Sequence, residues 1–289
     1  VKLGVYLDGS TVDSFVTHAR LAEDAGLESV WVGDHLITAS PRIDSVVALT
    51  AAAAATTRIK VGFGVLVVAL RPVAWVAKQI ATLQGLSGNR VLLGVGTGGD
   101  AHGDLGWRAA GVPFAERGKR TTAALKVLPD LVTGKPATVD GVEFALAPGA
   151  EMPPLIVAAG PGRLRRVARF GDEWFPAFSA PSWLAEQGKR LAELAAEHGR
   201  PAPGITVNIS LAVGSVPSPV LDAQIRSLTG YGLTEAQARE AVVTGNPAQV
   251  AERLAAYADA GVGRIAAMPF TGNRAEQIEL LGEVAGLLR

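Results

Sequence analysis

From Thr57 to Gly99 the chain passes through three patterns in succession. Ile59 to Leu70 is an apolar run rich in β-branched residues. Arg71-Pro72 then opens a stretch whose apolar residues recur at helical spacing as far as Gly85, and Val91 to Val95 is a second apolar run that ends among glycines. This reads as strand, helix, strand. Two strands joined by a covering helix lie parallel through a right-handed crossover, and their continuous apolar character buries both faces. Further strands are predicted at Lys2 to Leu7, Ser29 to Gly33, Leu155 to Ala159, Glu173 to Pro176, Ile205 to Val213 and Arg264 to Met268. Between them the spacing predicts helices. The first is capped at Ser10 or Thr11 and stops at Gly26. Others cover Ile43 to Ala55, Phe114 to Leu131, Arg163 to Arg169, Ser182 to His198, Asn246 to Gly261 and Arg274 to Leu288. Pro217 to Val243 reads as helical segments broken by Gly230-Tyr231-Gly232, long enough to form a cap, and Thr138 to Phe144 as a hairpin about Asp140-Gly141. About eight strands, each followed by a helix, specify an α/β fold, a (β/α)8 TIM barrel. It is expected as a single domain over 1–289, with insertions near 100–114, 137–150 and 214–246.

Composition narrows the partners. The 289 residues are 48% hydrophobic with a mean hydropathy of +0.27, which suits a heavily buried α/β chain. Balanced charge, 27 basic against 27 acidic residues, leaves no overall field for nucleic acid or an anionic membrane. The absence of cysteine removes disulfides, thiolate catalysis and cysteine metal sites, and is compatible with a cytoplasmic protein. Val61 to Leu70 is only half a membrane span, and Val1 to Tyr6 reads as a strand rather than a secretory leader.

In such a barrel the active site lies on the loops after the strands. That rule makes candidates of Asp8, Asp34, His35, Gly64-Val65, the stretch Thr97, Gly98, Gly99 to Asp104, and Gly160, Pro161, Gly162 and Arg163. His18 and His198 fall on helices and read as surface structure. His35 and His102 follow strand ends, where a histidine either touches substrate or cofactor or bonds local backbone. Gly94, Gly96 and Gly99 match the spacing of a dinucleotide fingerprint, but a loop rather than a helix follows them. Backbone without side chains there can approach a flat ligand and offer it N–H groups. Arg163, Arg165, Arg166 and Arg169 crowd a helix start, where positive charge opposes the dipole and an anion would relieve it; the alternative is pairing with surface carboxylates. Trp31, Trp107 and Trp174 line a pocket or fill the core. Spacings for metal ligation or a serine nucleophile are absent, so no metal is expected.

The segments Ala19-Arg20, Ala25 to His35, Arg71-Pro72, Ala81-Thr82-Leu83, Leu86 to Arg90 and Asn246-Pro247 to Gly261-Val262 together resemble the bacterial luciferase-like flavin and deazaflavin oxidoreductases. Asn89 to Gly98 is most similar to the branch that uses coenzyme F420. The resemblance implies a TIM barrel that binds a flavin-like cofactor and acts on a small-molecule substrate, and a homodimer is expected. It implies that Asp34-His35 lies near the hydride-transferring carbon, with the histidine binding or deprotonating a substrate hydroxyl. It also implies a non-proline cis bulge at Gly64-Val65 behind the ring, contacts from Thr97-Gly98 to its polar edge, and contacts from Ala158, Ala159 and Gly160 toward the tail. One departure is Gly99, where several deazaflavin dehydrogenases carry glutamate; Asp100 is next to it. The leading reading is an F420-dependent oxidoreductase. The alternatives are an FMN-dependent monooxygenase using reduced flavin and oxygen, and a non-catalytic flavin-binding barrel.

Overall fold

Lys2 pairs with Arg264 and Gly4 with Ser29, so the first strand is flanked on one side by the last and on the other by the second. In the computed structural model, which describes residues 1–7, 9, 12–99, 103–160 and 162–289 with backbone alone at 12 and 13, eleven strands form. They are β1 (Lys2–Tyr6), β2 (Ser29–Val32), β3 (Lys60–Phe63), β4 (Val91–Val95), the hairpin β5 (Ala137–Val139) and β6 (Val142–Phe144), β7 (Leu155–Ala158), β8 (Glu173–Phe175), β9 (Gly204–Val213), β10 (Val242–Gly245) and β11 (Arg264–Pro269). Apart from the hairpin they make one sheet in the order β10-β9-β11-β1-β2-β3-β4-β7-β8, and β8 also pairs with β9. Eight parallel strands therefore close on themselves, the predicted TIM barrel.

Alternation along each strand builds two apolar layers. Val5, Val30, Val61, Leu93, Val157, Val207 and Ile265 face outward into the main core under the helices. Tyr6, Trp31, Leu92, Ile156, Phe175 and Ala266 fill the barrel interior as a separate cluster. The bottom is closed by charge: Arg264, only 5% exposed, reaches Glu173 at 2.7 Å and Glu28 at 3.1 Å, and Lys60 adds a contact to Glu28 at 3.3 Å.

Several boundaries differ from expectation. The apolar run Ile59 to Leu70 is not one strand: β3 stops at Phe63, a bulge follows, and Val68–Leu70 is a 3-10 turn. The next helix, Val73–Ser87, passes Gly85 and stops at a left-handed Gly88. The loop after β4 contains a short helix, Leu105–Ala109. Phe114 starts only a 3-10 turn, and the helix proper is Arg117–Val132. The helix expected from Ile43 begins at Ser45, where the Asp44 carboxylate accepts from two backbone N–H groups. The helix expected to end at His198 stops at Ala196. The cap segment folds as helices Ser218–Thr229 and Glu235–Ala241, but Val242 onward is β10 rather than helix. The reason is geometric: β9 is ten residues long, β8 covers only its base at Gly204 and Ile205, the segment after β8 bridges it at Asn208, and β10 takes the upper edge at Ser210 to Val213. Ser10 and Thr11 lie outside the described residues.

Candidate functional site

Asp34 follows β2 and is buried at 4% exposure. Its Oδ1 accepts from the Ser45 hydroxyl at 3.0 Å and from Arg71 at 2.7 Å, while its Oδ2 accepts from the Val67 N–H at 2.9 Å and from Arg71 at 2.6 Å. Four donors saturate the carboxylate. The hydrogen bonds to Asp34, and the charges of Asp34 and Asp44, raise the guanidinium pKa of Arg71 against the opposing effect of burial. Asp34 therefore joins the end of β2 to the helix Ser45–Ala55 and to the segment beyond the bulge. His35, the next residue, is exposed at the barrel mouth. Gly33 makes room for it, since a β-carbon there would come within 3.1 Å of the imidazole Nε2.

The bulge is built from both sides. The peptide between Gly64 and Val65 is cis. The Gly64 carbonyl accepts a hydrogen bond from the Tyr6 hydroxyl at 2.9 Å, and burial pushes the Tyr6 phenol well above its ordinary pKa, so it stays a donor. Across the bulge, a β-carbon at Gly94 would overlap the Phe63 carbonyl and one at Gly96 would overlap Val65. The Gly96 N–H donates to Leu66 and the Gly94 carbonyl accepts from it. The expectation that these glycines offer N–H groups to a ligand is thus corrected for Gly96, whose N–H is taken by the bulging segment. Gly98 differs: it has φ +67° and carries no side chain where one would strike Trp107, which leaves it at a cavity wall together with Gly99.

Two cavities meet over Val65. One, of about 420 Å³, is lined by Asp34, His35, Gly64, Gly98, Gly99 and Trp107, and by Tyr231 from the cap. The other, of about 610 Å³, shares Val65, Gly98 and Tyr231 and continues past Thr97, Ala158, Ala159 and Gly160 to Arg163 and Arg166. A third recess of about 430 Å³ extends from Thr97 among Arg117, Arg163 and Arg166. Arg166 is braced by the Gly118 carbonyl and the Thr122 hydroxyl, both at 3.2 Å, and burial together with the Arg163 charge lowers its pKa. Arg117 stacks its guanidinium 3.8 Å over the Phe114 ring.

The fold therefore brings His35, Asp34, Gly64, Val65, Thr97, Gly98, Gly99, Ala158, Ala159, Gly160 and Arg163 to one cleft. Gly162, in the same turn, is exposed with φ +74°. Asp8, Asp100, His102 and Pro161 lie outside the described residues. The arginine cluster divides: Arg163 and Arg166 line the cleft, whereas Arg165 pairs with Glu197 at 3.5 Å and Arg169 lies over Phe170. Trp31 and Trp174 are core, both 0% exposed, and only Trp107 reaches a cavity. Among the described residues no cluster of His, Cys, Asp or Glu could hold a metal, and no helix is long and apolar enough to cross a membrane. Sequence reasoning gave no site role to Tyr6, Ser45, Arg71 or Arg117. For Arg71 a signal existed: a cation before a helix start opposes the dipole and needs a carboxylate beside it. Arg117 carries no such signal.

Comparison with known proteins agrees with this geometry. The family model for luciferase-like monooxygenases matches residues 3–264. An uncharacterised protein of Mycobacterium tuberculosis is 31% identical over 216 residues, covering 65% of this chain and 74% of that protein. An F420-dependent glucose-6-phosphate dehydrogenase of Beutenbergia cavernae is 29% identical over 257 residues, covering 83% and 74%. Among solved structures, an F420-dependent secondary alcohol dehydrogenase in complex with an F420-acetone adduct superposes with a TM-score of 0.83 at 20% identity, over 100% of this chain and 99% of that one.

Proposed function

The chain belongs to the luciferase-like monooxygenase family, and from that premise we propose that it is an F420-dependent oxidoreductase moving a hydride between the deazaflavin and a small organic substrate. One observation carries the reading: a cleft with His35 at one end, a bulged strand and side-chain-free backbone in the middle, and guanidinium groups at the other. A flat ring with an anionic tail suits that order of groups. Thr97, Gly98 and the Val65 bulge would hold the ring, and Ala158 to Gly160 with Arg163, Arg166 and Arg117 would hold the tail. When bound, the deazaflavin supplies a carbon that gives or accepts hydride. His35 then holds the proton exchanged with the substrate oxygen, because its imidazole is exposed at the cavity while the Asp34 carboxylate is committed to four donors. Asp34 positions: it fixes the end of β2 from which His35 projects. Leu36, Ile37 and Trp107 exclude water from the reacting side.

Relatives named for F420 support the cofactor, and the family name keeps FMN as the second reading, since the arginines would serve the phosphate of either. Fluorescence titration with both cofactors tests this. F420 is expected to bind at least about tenfold more tightly than FMN, about 1.4 kcal/mol. A clear preference for FMN, with oxygen consumed when reduced flavin is supplied, would make the protein a monooxygenase. The relatives' names cover a sugar phosphate and a secondary alcohol, and leave the substrate class to the pocket itself.

A further inference from the structure

The cavity of about 610 Å³ runs two ways from Val65, and only the way toward the arginines has a role above. In the other direction its walls come from the loop after β8 and from the cap. On the first side Trp183 lies 5.6 Å, ring to ring, from Trp174, which is fully buried and fixed by its indole N–H donating to the Ala159 carbonyl at 2.9 Å. On the second side Tyr231 lies 5.5 Å from Phe178, which is buried in the apolar cluster of the cap helices and donates its N–H to the Asn208 carbonyl at 2.8 Å. Trp183 and Tyr231 thus each stand on a buried ring. Among the described residues no ring contact joins the two pairs, and both Trp183 and Tyr231 line the cavity.

Charge at this end comes from the cap. Glu240, on the helix Glu235–Ala241, is the single carboxylate among the described residues lining the cavity. Its carboxylate makes no ion pair among the described residues: Arg239 pairs with Glu235 at 2.7 Å, and Arg253 donates to the main-chain carbonyl of Glu240 at 3.1 Å. The opposing field is weaker. The helix Pro181–Ala196 begins at this wall without a side-chain cap, which amounts to about half a positive charge against the full negative charge of Glu240. Arg163 and Arg166 lie at the far end, where an anionic tail neutralises them.

We propose, resting on the F420 reading for the places of the cofactor ring and tail, that this half of the cavity is a second subsite, which takes a flat aromatic ring bearing a protonated amine as part of the substrate. The ring enters between Trp183 on the barrel and Tyr231 on the cap, and its ammonium group faces Glu240, so that aromatic faces and a carboxylate act on the same cation. Tyr231 also borders the His35 cavity, and a substrate seated here has its reacting end directed past Tyr231 to the barrel mouth.

Calorimetry on the full chain tests the subsite with three probes: naphthylmethylamine, naphthylacetate and cyclohexylmethylamine. With the protein saturated with F420, the aromatic amine should bind at least about tenfold more tightly than the aromatic acid and about fivefold more tightly than the amine without a flat ring. Glu240→Gln should weaken the aromatic amine about fivefold, the difference shrinking as salt is raised, while the Kd for F420 stays within about twofold. Trp183→Leu and Tyr231→Leu should each weaken it about fivefold, whereas Trp183→Phe and Tyr231→Phe, which keep a ring, should stay within about twofold of the parent. Failure of F420 to bind overturns the cofactor reading alone, because the amine should still bind the cofactor-free protein with the same dependence on Trp183, Tyr231 and Glu240. No binding of the aromatic amine, binding of naphthylacetate as tight as the amine by the loaded protein, equal affinity for the two amines, or affinity unchanged by the leucine or glutamine variants would each overturn the proposal.

Discussion

Asp34 and Arg71 meet in a two-bond ion pair across 37 residues of chain, each carboxylate oxygen accepting from one end of the guanidinium at 2.6 and 2.7 Å. Because the same carboxylate also takes the Val67 N–H and the Ser45 hydroxyl, the pair fixes three elements around the bulge. Replacing Arg71 by leucine leaves a buried carboxylate without its counter-ion and should cost about 3–5 kcal/mol in urea unfolding. Arg71→Lys keeps the charge without the fork and should recover only part of that. A loss under about 1 kcal/mol for the leucine variant would reduce the pair to the value of a surface contact.

On the proposed function, His35 bears on turnover rather than on cofactor affinity. His35→Ala should lower kcat about 100- to 10,000-fold, the range for losing a general acid or base, while the Kd for F420 stays within about threefold, roughly 0.6 kcal/mol. Parallel losses in both would instead make His35 a cofactor-positioning residue.

Arg163 lines the arginine end of the cleft, where the proposed function puts the cofactor tail, whereas Arg166 is latched to Gly118 and Thr122. Arg163→Ala should weaken F420 about tenfold, near 1.4 kcal/mol, with kcat at saturation unchanged. The difference from the parent protein should shrink as salt is raised. An effect that does not depend on salt would argue against an electrostatic contact.

Glu23 gives stability a pH dependence remote from the cleft. Burial pushes its carboxyl up, but the N–H groups of Ile59, Arg58 and Thr57 and the Arg58 charge outweigh it and hold the group at about 2, below its usual 4.5. A depressed pKa means the contribution is fully present above pH 4.5 and is lost as pH falls from there through about 2. Thermal unfolding of Glu23→Gln should show a lower Tm than the parent at neutral pH, and the two should converge across that window. A constant difference down to pH 2 would show that the carboxylate charge is not what stabilises the start of β3.

Local pattern was enough for the barrel because its strands are apolar on both faces and several of its helices carry their own caps, as in the Asn246-Gln249 capping box. It was not enough where one element's shape is set by another. The β-branched Val242, Val243 and Thr244 favour a strand, but so short a run reads with the helical pattern before it, and what makes it a strand is the uncovered upper edge of β9. The glycines after β4 were visible, but the division among them was not: Gly94 and Gly96 yield to the neighbouring bulge, while Gly98 and Gly99 face a cavity. The candidate site was legible by position, through the rule that loops after strands carry chemistry. Its supporting residues were not. Tyr6 and Ser45 look ordinary in sequence and Arg71 shows only its place before a helix start; the importance of all three comes from partners 58, 11 and 37 residues away.

The chain leaves the barrel after β9 and returns through β10, and at that crossing Gly214 donates to the Gly245 carbonyl at 2.7 Å while the two form an antiparallel bridge. The cap helices between them thus hang from a closed neck whose two ends are joined independently of what lies beyond. A segment held this way can change length or outward-facing composition without passing the change to the barrel, provided that the inner face packed against Phe178, Met268 and Phe270 is kept, since closing a longer loop through a fixed neck adds little entropy loss. The part of the protein that carries Tyr231 over the pocket is therefore an exchangeable module, and cap segments from relatives could be grafted at Gly214 and Gly245 to alter which molecules enter while the barrel below them is retained.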